Sequence, residues 1–283
     1  MYYSSTRADR LQTNTYPISH RPARAALCLL LGAGILALAV YLQLGRGGSL
    51  PFSLGSPATA VPSRATPAPK RAEGEITLAA HTWYALQLGA FTQEGSARQL
   101  AQEYIARGAA GYVQQQDSTY RVLAAAYPTR AEAQAVQTRL SAQNVGVYIH
   151  PFTQPELSLR AQGSADQVEA VRETLAYLDA LADKLGTLSC ALDAHDMDAD
   201  AARSALQSEG STCAGLKKRL LSAFEGELPA LLSQPAALLD SICAESDALQ
   251  KETSAARTGA ALKRCQLAAA VGMMDFAAAL QGR

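Results

Sequence analysis

The chain has 283 residues, enough for one or two domains with linkers. Lys and Arg total 25 and Asp and Glu total 25, so no excess of either sign argues for a nucleic-acid partner. Alanine is abundant and aromatic residues make up only 6% of the chain, which favours helix over a strand-rich sandwich.

Residues 25–44 read AALCLLLGAGILALAVYLQL, without a charge. About 20 helical residues cover roughly 30 Å, the thickness of a bilayer core, so this run predicts a transmembrane helix. A cleaved signal peptide is the competing reading. Its apolar core is shorter and ends at a small-x-small site, whereas Gln43-Leu44-Gly45-Arg46 is a poor cleavage sequence. Arg7, Arg10, Arg21 and Arg24 precede the run and only Arg46 follows it closely. The positive-inside bias then leaves residues 1–24 as a cytoplasmic tail and everything after the span extracytoplasmic. The expected location is the cell membrane, crossed once.

Residues 45–79 are dominated by Pro, Gly, Ser and Ala and carry no apolar period. They read as a disordered tether, with an r.m.s. reach of ~30 Å for about thirty residues.

The pattern then changes. Residues 83–91 (WYALQLGAF) alternate as a strand, and 94–107 carry Ala97, Leu100, Ala101, Tyr104 and Ile105 at helical spacing. Gly108 and Gly111 end that helix. Strands are expected over 110–116 and 119–125, a helix over 130–142 and a last strand over 145–150. The order is β-α-β-β-α-β, in which two helices cover one face of a four-stranded, mostly antiparallel sheet.

Specific residues in this stretch carry a resemblance. Tyr84 to Phe91 reads YALQLGAF, Tyr120-Arg121-Val122 forms a Tyr-Arg-Val strand, and Arg130-Ala131-Glu132-Ala133 opens the second helix. With Ala97, Leu100, Ala101, Gly108 and Leu140 at matching positions, residues 80–152 resemble the SPOR family of bacterial cell-wall-binding domains. Ala125 and Ala126 depart from the Gly-Pro usual in that family, and Thr119 stands where some members have an aromatic residue. The resemblance implies binding to peptidoglycan glycan strands, with preference for strands stripped of stem peptides, at division or sporulation septa. It also implies that the ligand lies on the sheet face not covered by helices.

Strand alternation can be set beside that implication. Leu86, Leu88, Val122 and Ala124 fall on the face under the helices. Ala85, Gln87, Gly89, Thr119, Arg121, Leu123, Gly146, Tyr148 and His150 fall on the other. An amide, a guanidinium and a phenol there suit hydroxyl-rich sugars. The candidate ligand-binding residues are Gln87, Gly89, Thr119, Arg121 and Tyr148. The plainer alternative makes Gln87 and Arg121 ordinary solvated polar residues and His150 a rim residue. Tyr120 is expected in the core, and Phe91 is expected to be buried at a bulged strand end.

Residues 157–283 read as wholly helical. Val168, Val171, Leu175, Leu178, Ala182, Leu185 and Leu192 form one seam, 193–200 interrupts it, and Pro229 and Pro235 mark further boundaries. A helical hairpin or bundle is the plain expectation. Its apolar seam could alternatively dock another envelope protein or a second copy, which would make the chain a structural adaptor. Cys190, Cys213, Cys243 and Cys265 permit one or two disulfides, the latter in three possible connectivities, with buried free thiols as the alternative. Asp196, Asp198 and Asp200 have half of an EF-hand spacing, but Ala201 replaces the turn glycine, so helix capping is the expectation.

The fold class expected is therefore α+β: an N-terminal transmembrane helix, a ferredoxin-like βαββαβ SPOR-type domain, then an all-α hairpin or bundle. His20, His81, His150 and His195 are scattered, and no nucleophile, zinc or phosphate-loop motif occurs, so no enzyme, metal or cofactor is expected. An RNA-recognition module shares the βαββαβ order, yet TYRVLAA offers only Tyr120. The expected partners are glycan strands and, through residues 25–44, the bilayer.

Overall fold

The computed structural model describes residues 71–281, and the structural statements below concern those residues. The segments expected to form a cytoplasmic tail, a transmembrane helix over 25–44 and most of a tether lie outside them. Among the described residues no helix is long and apolar enough to cross a membrane.

Six strands and six helices follow in order: β1 (Ala72–Leu78), β2 (His81–Phe91), α1 (Glu94–Ile105), β3 (Tyr112–Gln116), β4 (Thr119–Tyr127), α2 (Arg130–Ala142), β5 (Tyr148–Gln154), β6 (Leu157–Gly163), α3 (Ala165–Asp193), α4 (Ala199–Ala223), α5 (Ser233–Ala248) and α6 (Ala255–Gln281). The central sheet runs β3-β4-β2-β5, and every neighbouring pair is antiparallel. From β2 to β5 the chain has the expected βαββαβ order.

Helices α1 and α2 cover one face of this sheet. Val122 packs with Ala97 and Ala101 of α1, and Leu86 and Ala124 pack with Ala133 of α2. Tyr120 and Phe91 join the α1 cluster, as expected. Thr129 starts α2 with a capping box. Its hydroxyl accepts from the Glu132 amide at 3.2 Å, and the Glu132 carboxylate accepts from the Thr129 amide at 3.2 Å.

Two segments depart from the expectation. Ala72–Leu78, placed in the tether, is strand β1, and Leu157–Gly163, placed in the helical region, is strand β6. They pair antiparallel from Ala72 opposite Gly163 to Leu78 opposite Leu157. Ile76 and Leu78 are buried at alternate positions, with Leu157 and Leu159 packed against the same core. Short strands with a single apolar face and a partner about ninety residues away leave little local trace.

The last four helices form a bundle with a shared apolar core. Ser164 caps α3 through a box with Gln167. Asp198 caps α4, its Oδ1 accepting from the Ala201 amide at 2.7 Å, so the acidic run starts a helix as expected. Each helix contributes one cysteine, and Cys190, Cys213, Cys243 and Cys265 are free thiols. Burial pushes the Cys213 thiol up to about 12.

The bundle does not stand apart from the sheet. Trp83, Ala85, Leu123, Ala126 and Phe152 lie in one buried cluster with Leu262, Leu267 and Val271 of α6. Within this contact the buried Gln266 amide donates to the Ala126 carbonyl at 3.0 Å, and the half-buried Arg264 Nε donates to the Ala110 carbonyl at 3.0 Å. Asp179 of α3 accepts from the Ala79 amide at 3.2 Å and from Gln154 Nε2 at 2.7 Å. Each fully buried large side chain contributes about 1.5–3 kcal/mol, so Trp83, Leu123 and Phe152 alone make this junction a core.

Candidate functional site

The face expected to be open is divided in two. Ala85 and Leu123 are fully buried under the bundle, and Trp83, Ala126 and Phe152 nearly so. Tyr112, opposite Leu123 on β3, packs against the same cluster. Burial and the nearby Asp275 carboxylate of α6 push its phenol up to about 12. What α6 leaves uncovered is a polar strip at one end of the sheet.

Gln87 anchors the strip. It pairs in register with Tyr148 on one side and Leu123 on the other. Directly opposite residues of paired strands share a face, so the Gln87 and Tyr148 side chains stand together. Arg121, two residues from Leu123, lies on the same face. Its Nη1 donates to Gln87 Oε1 at 3.3 Å and its Nε donates to Gln116 Oε1 at 3.4 Å. Thr119 pairs with Gln116 at the end of β4 and adds a hydroxyl. Tyr148 is 71% exposed, the most exposed large hydrophobic residue among those described.

His150 follows Tyr148 by two residues and pairs with Ala85, at the line where the strip meets the bundle. Partial burial, reinforced by the Arg121 charge, lowers its pKa below the ordinary value. The imidazole is therefore neutral near pH 7, with one nitrogen donating and one accepting. The strip thus offers an amide, a guanidinium, a hydroxyl, a neutral imidazole and an exposed phenol ring. Such a set can hydrogen-bond sugar hydroxyls and N-acetyl carbonyls and can stack beneath a ring.

The structure brings together Gln87, Thr119, Arg121 and Tyr148 and sends Gly89 elsewhere. Leu86 pairs with Ala125, Gln87 with Leu123 and Gly89 with Val122, so Ala124 and Leu88 each lack a partner. These are two bulges on facing strands, the second restoring the register that the first shifts. The bulge at Leu88 turns Gly89 to the α1 side. A Cβ there would lie 2.9 Å from Phe91 Cε2 and 3.1 Å from Leu100 Cδ2. Strict alternation had put Gly89 on the ligand side; the extra residue reverses it.

Sequence reading also passed over Gln116 and Gln114. Both lie on β3 opposite residues of the strip, Gln116 opposite Thr119 and Gln114 opposite Arg121. The run Gln114-Gln115-Gln116 was the available signal, since its alternate members Gln114 and Gln116 fall on the face of Arg121 while Gln115 pairs with Tyr120 on the other.

Comparison with known proteins adds a family for this part of the chain. Residues 80–149 match the family model described as SPOR domain. No curated protein and no solved structure matches the chain.

Proposed function

We propose that this chain, whose residues 80–149 are a SPOR domain, binds peptidoglycan glycan strands outside the cytoplasm through the polar strip of its sheet. In this reading residues 25–44 anchor it in the cell membrane as a single span, residues 1–24 face the cytoplasm, and it acts at division or sporulation septa. The observation that supports the reading is the hydrogen-bonded pair Gln87–Arg121, flanked by exposed Tyr148, on the one part of the sheet face that α6 leaves uncovered. A glycan stripped of its stem peptides carries hydroxyls, N-acetyl groups and a free lactyl carboxylate on alternate sugars, and the Arg121 guanidinium suits that carboxylate. It would meet donors and acceptors already held in place, which limits the ordering cost of binding. Tyr148 supplies the flat apolar surface that a sugar ring covers.

The bundle enters as support for the sheet. Its apolar residues are used within the bundle and against Trp83, Leu123 and Phe152. That arrangement favours a rigid platform over an adaptor with a free apolar seam.

The test is co-sedimentation of the full chain with purified peptidoglycan, before and after amidase treatment, with Gln87→Ala, Arg121→Ala and Tyr148→Ala alongside. Binding should rise when stem peptides are removed and fall about tenfold in each variant, the loss expected for one directional contact. Equal binding by all three variants would remove the strip as the site. No sedimentation with either material would end the peptidoglycan reading.

A further inference from the structure

On the opposite face of the sheet, α1 and α2 both pack on the strands and hardly on each other. Their side chains buried against the sheet are alanines, Ala97 and Ala101 from α1 and Ala133 from α2. Such short side chains bring each helix close to the sheet but cannot bridge the space between the two helices. The β4 bulge adds to the gap by placing Ala124 and Ala125 side by side on its floor. The result is a cleft of about 320 Å³ lined by Leu86, Leu88, Ala125, Val136 and Leu140. That volume lies at the low end of the roughly 300–1,000 Å³ typical of small-molecule sites.

The rim of the cleft is cationic. Arg107, Arg139 and Lys263 border it, with Asp193 as the acid among its lining residues. Lys263 is largely buried, and its charge is committed, Nζ lying 2.8 Å from Asp193 Oδ1 and 3.1 Å from the Gly108 carbonyl. Arg107 and Arg139 enter no ion pair among the described residues. Arg107 lies over the Tyr104 ring at 5.0 Å, which holds its guanidinium at the mouth. Two smaller cavities adjoin at the same place, one sharing Arg107, Asp193 and Lys263, the other sharing Arg139 and Asp193.

We propose that this cleft binds a single-chain amphiphile with one anionic head, of the class of a free medium-chain carboxylate. The chain lies over Leu86, Ala125, Val136 and Leu140, and the carboxylate meets Arg107 and Arg139. An apolar floor takes a hydrocarbon, and two uncommitted guanidiniums select the charge sign and the planar head. The volume accommodates one chain, which sets a free carboxylate apart from a two-chain bilayer lipid. The site lies on the sheet face opposite the polar strip, so it does not depend on the glycan reading.

Isothermal titration of the full chain in phosphatidylcholine nanodiscs with dodecanoate, after subtraction of empty discs, tests this. Saturable binding in equal proportion is expected. Val136→Trp, which fills the cleft, should abolish it, and Arg139→Glu should weaken it about tenfold or more. Dodecyltrimethylammonium should give only the heat of disc partition. Heats equal to those of empty discs, unchanged affinity in both variants or equal affinity for the cation would overturn the proposal. Should Val136→Trp unfold the chain, a photoreactive dodecanoate on the unaltered protein decides: labels on the residues that line or rim the cleft, such as Leu86, Leu88, Val136, Leu140 and Lys263, support it, and labels elsewhere, the polar strip of Gln87 and Arg121 included, sink it.

Discussion

At the scale of the residue, the two sides of one strand carry different duties. Gln87 faces the strip and bonds Arg121, while its neighbour Leu86 is buried under α2. Periodicity alone made this legible, because a strand turns alternate side chains to opposite faces. Gly89 was not legible, because a bulge is an irregularity of pairing and leaves alternation in the sequence unchanged. His150 carries a pH expectation. Its pKa is lowered in the folded chain by burial and by Arg121. The unfolded chain, with an ordinary value of about 6.5, then binds the proton more readily. The stability that the neutral ring contributes is complete above about pH 6.5 and is lost as pH falls through the lowered folded value. Urea midpoints measured from pH 7.5 down to pH 5 should decline, and His150→Gln should flatten part of that decline. An identical decline in the variant would show that His150 takes no part.

At the scale of the element, helix contacts can reverse the usual propensity order. Gly210 lies inside α4, where alanine is ordinarily the better residue by about 1 kcal/mol. Here α4 and α5 approach so closely that a Cβ at Gly210 would lie 2.5 Å from Ser246 Cβ. That neighbour is fixed to the backbone and cannot swing away, so the helices must part. Gly210→Ala is expected to lower the urea midpoint, with a loss on the order of 1–3 kcal/mol as for overpacked cores. A higher midpoint would mean that the helices yield freely. Most elements were readable from caps and periods. The 130–142 helix was found with its bounds, and the seam from Val168 to Leu192 became α3. The ribbon β1–β6 escaped because each strand is stabilised by a partner far along the chain and by the bundle beneath it.

At the scale of the whole molecule, the sheet and the bundle are joined by a core. Strand β4 reads VLAAAY from Val122 to Tyr127, without polar alternation, and every one of those residues is buried. A strand apolar on both faces is covered on both faces. This signal was present in the sequence and marks the bundle side as well as the helix side. Removing the bundle would expose Trp83, Leu123, Phe152 and Tyr112 as one patch. A chain ending at Gly163 should therefore self-associate and lose the near-UV signal of Trp83, the single tryptophan. A monodisperse product with Trp83 still immobilised would mean that the sheet folds independently of the helices. The same result would make the helical region separable, as the adaptor alternative requires.

The sequence by itself determined the order of elements around residues 80–149, the family resemblance and the polar character of Gln87, Arg121 and Tyr148. Those follow from local periodicity and from side-chain chemistry, which the chain carries at every position. Tertiary structure alone decided how much of the sheet face stays free, on which side Gly89 lies and whether α1 and α2 close upon each other. These depend on bulges, on long-range pairing and on where α6 comes to rest. All three are settled by packing between residues far apart in the chain, where local pattern has no reach.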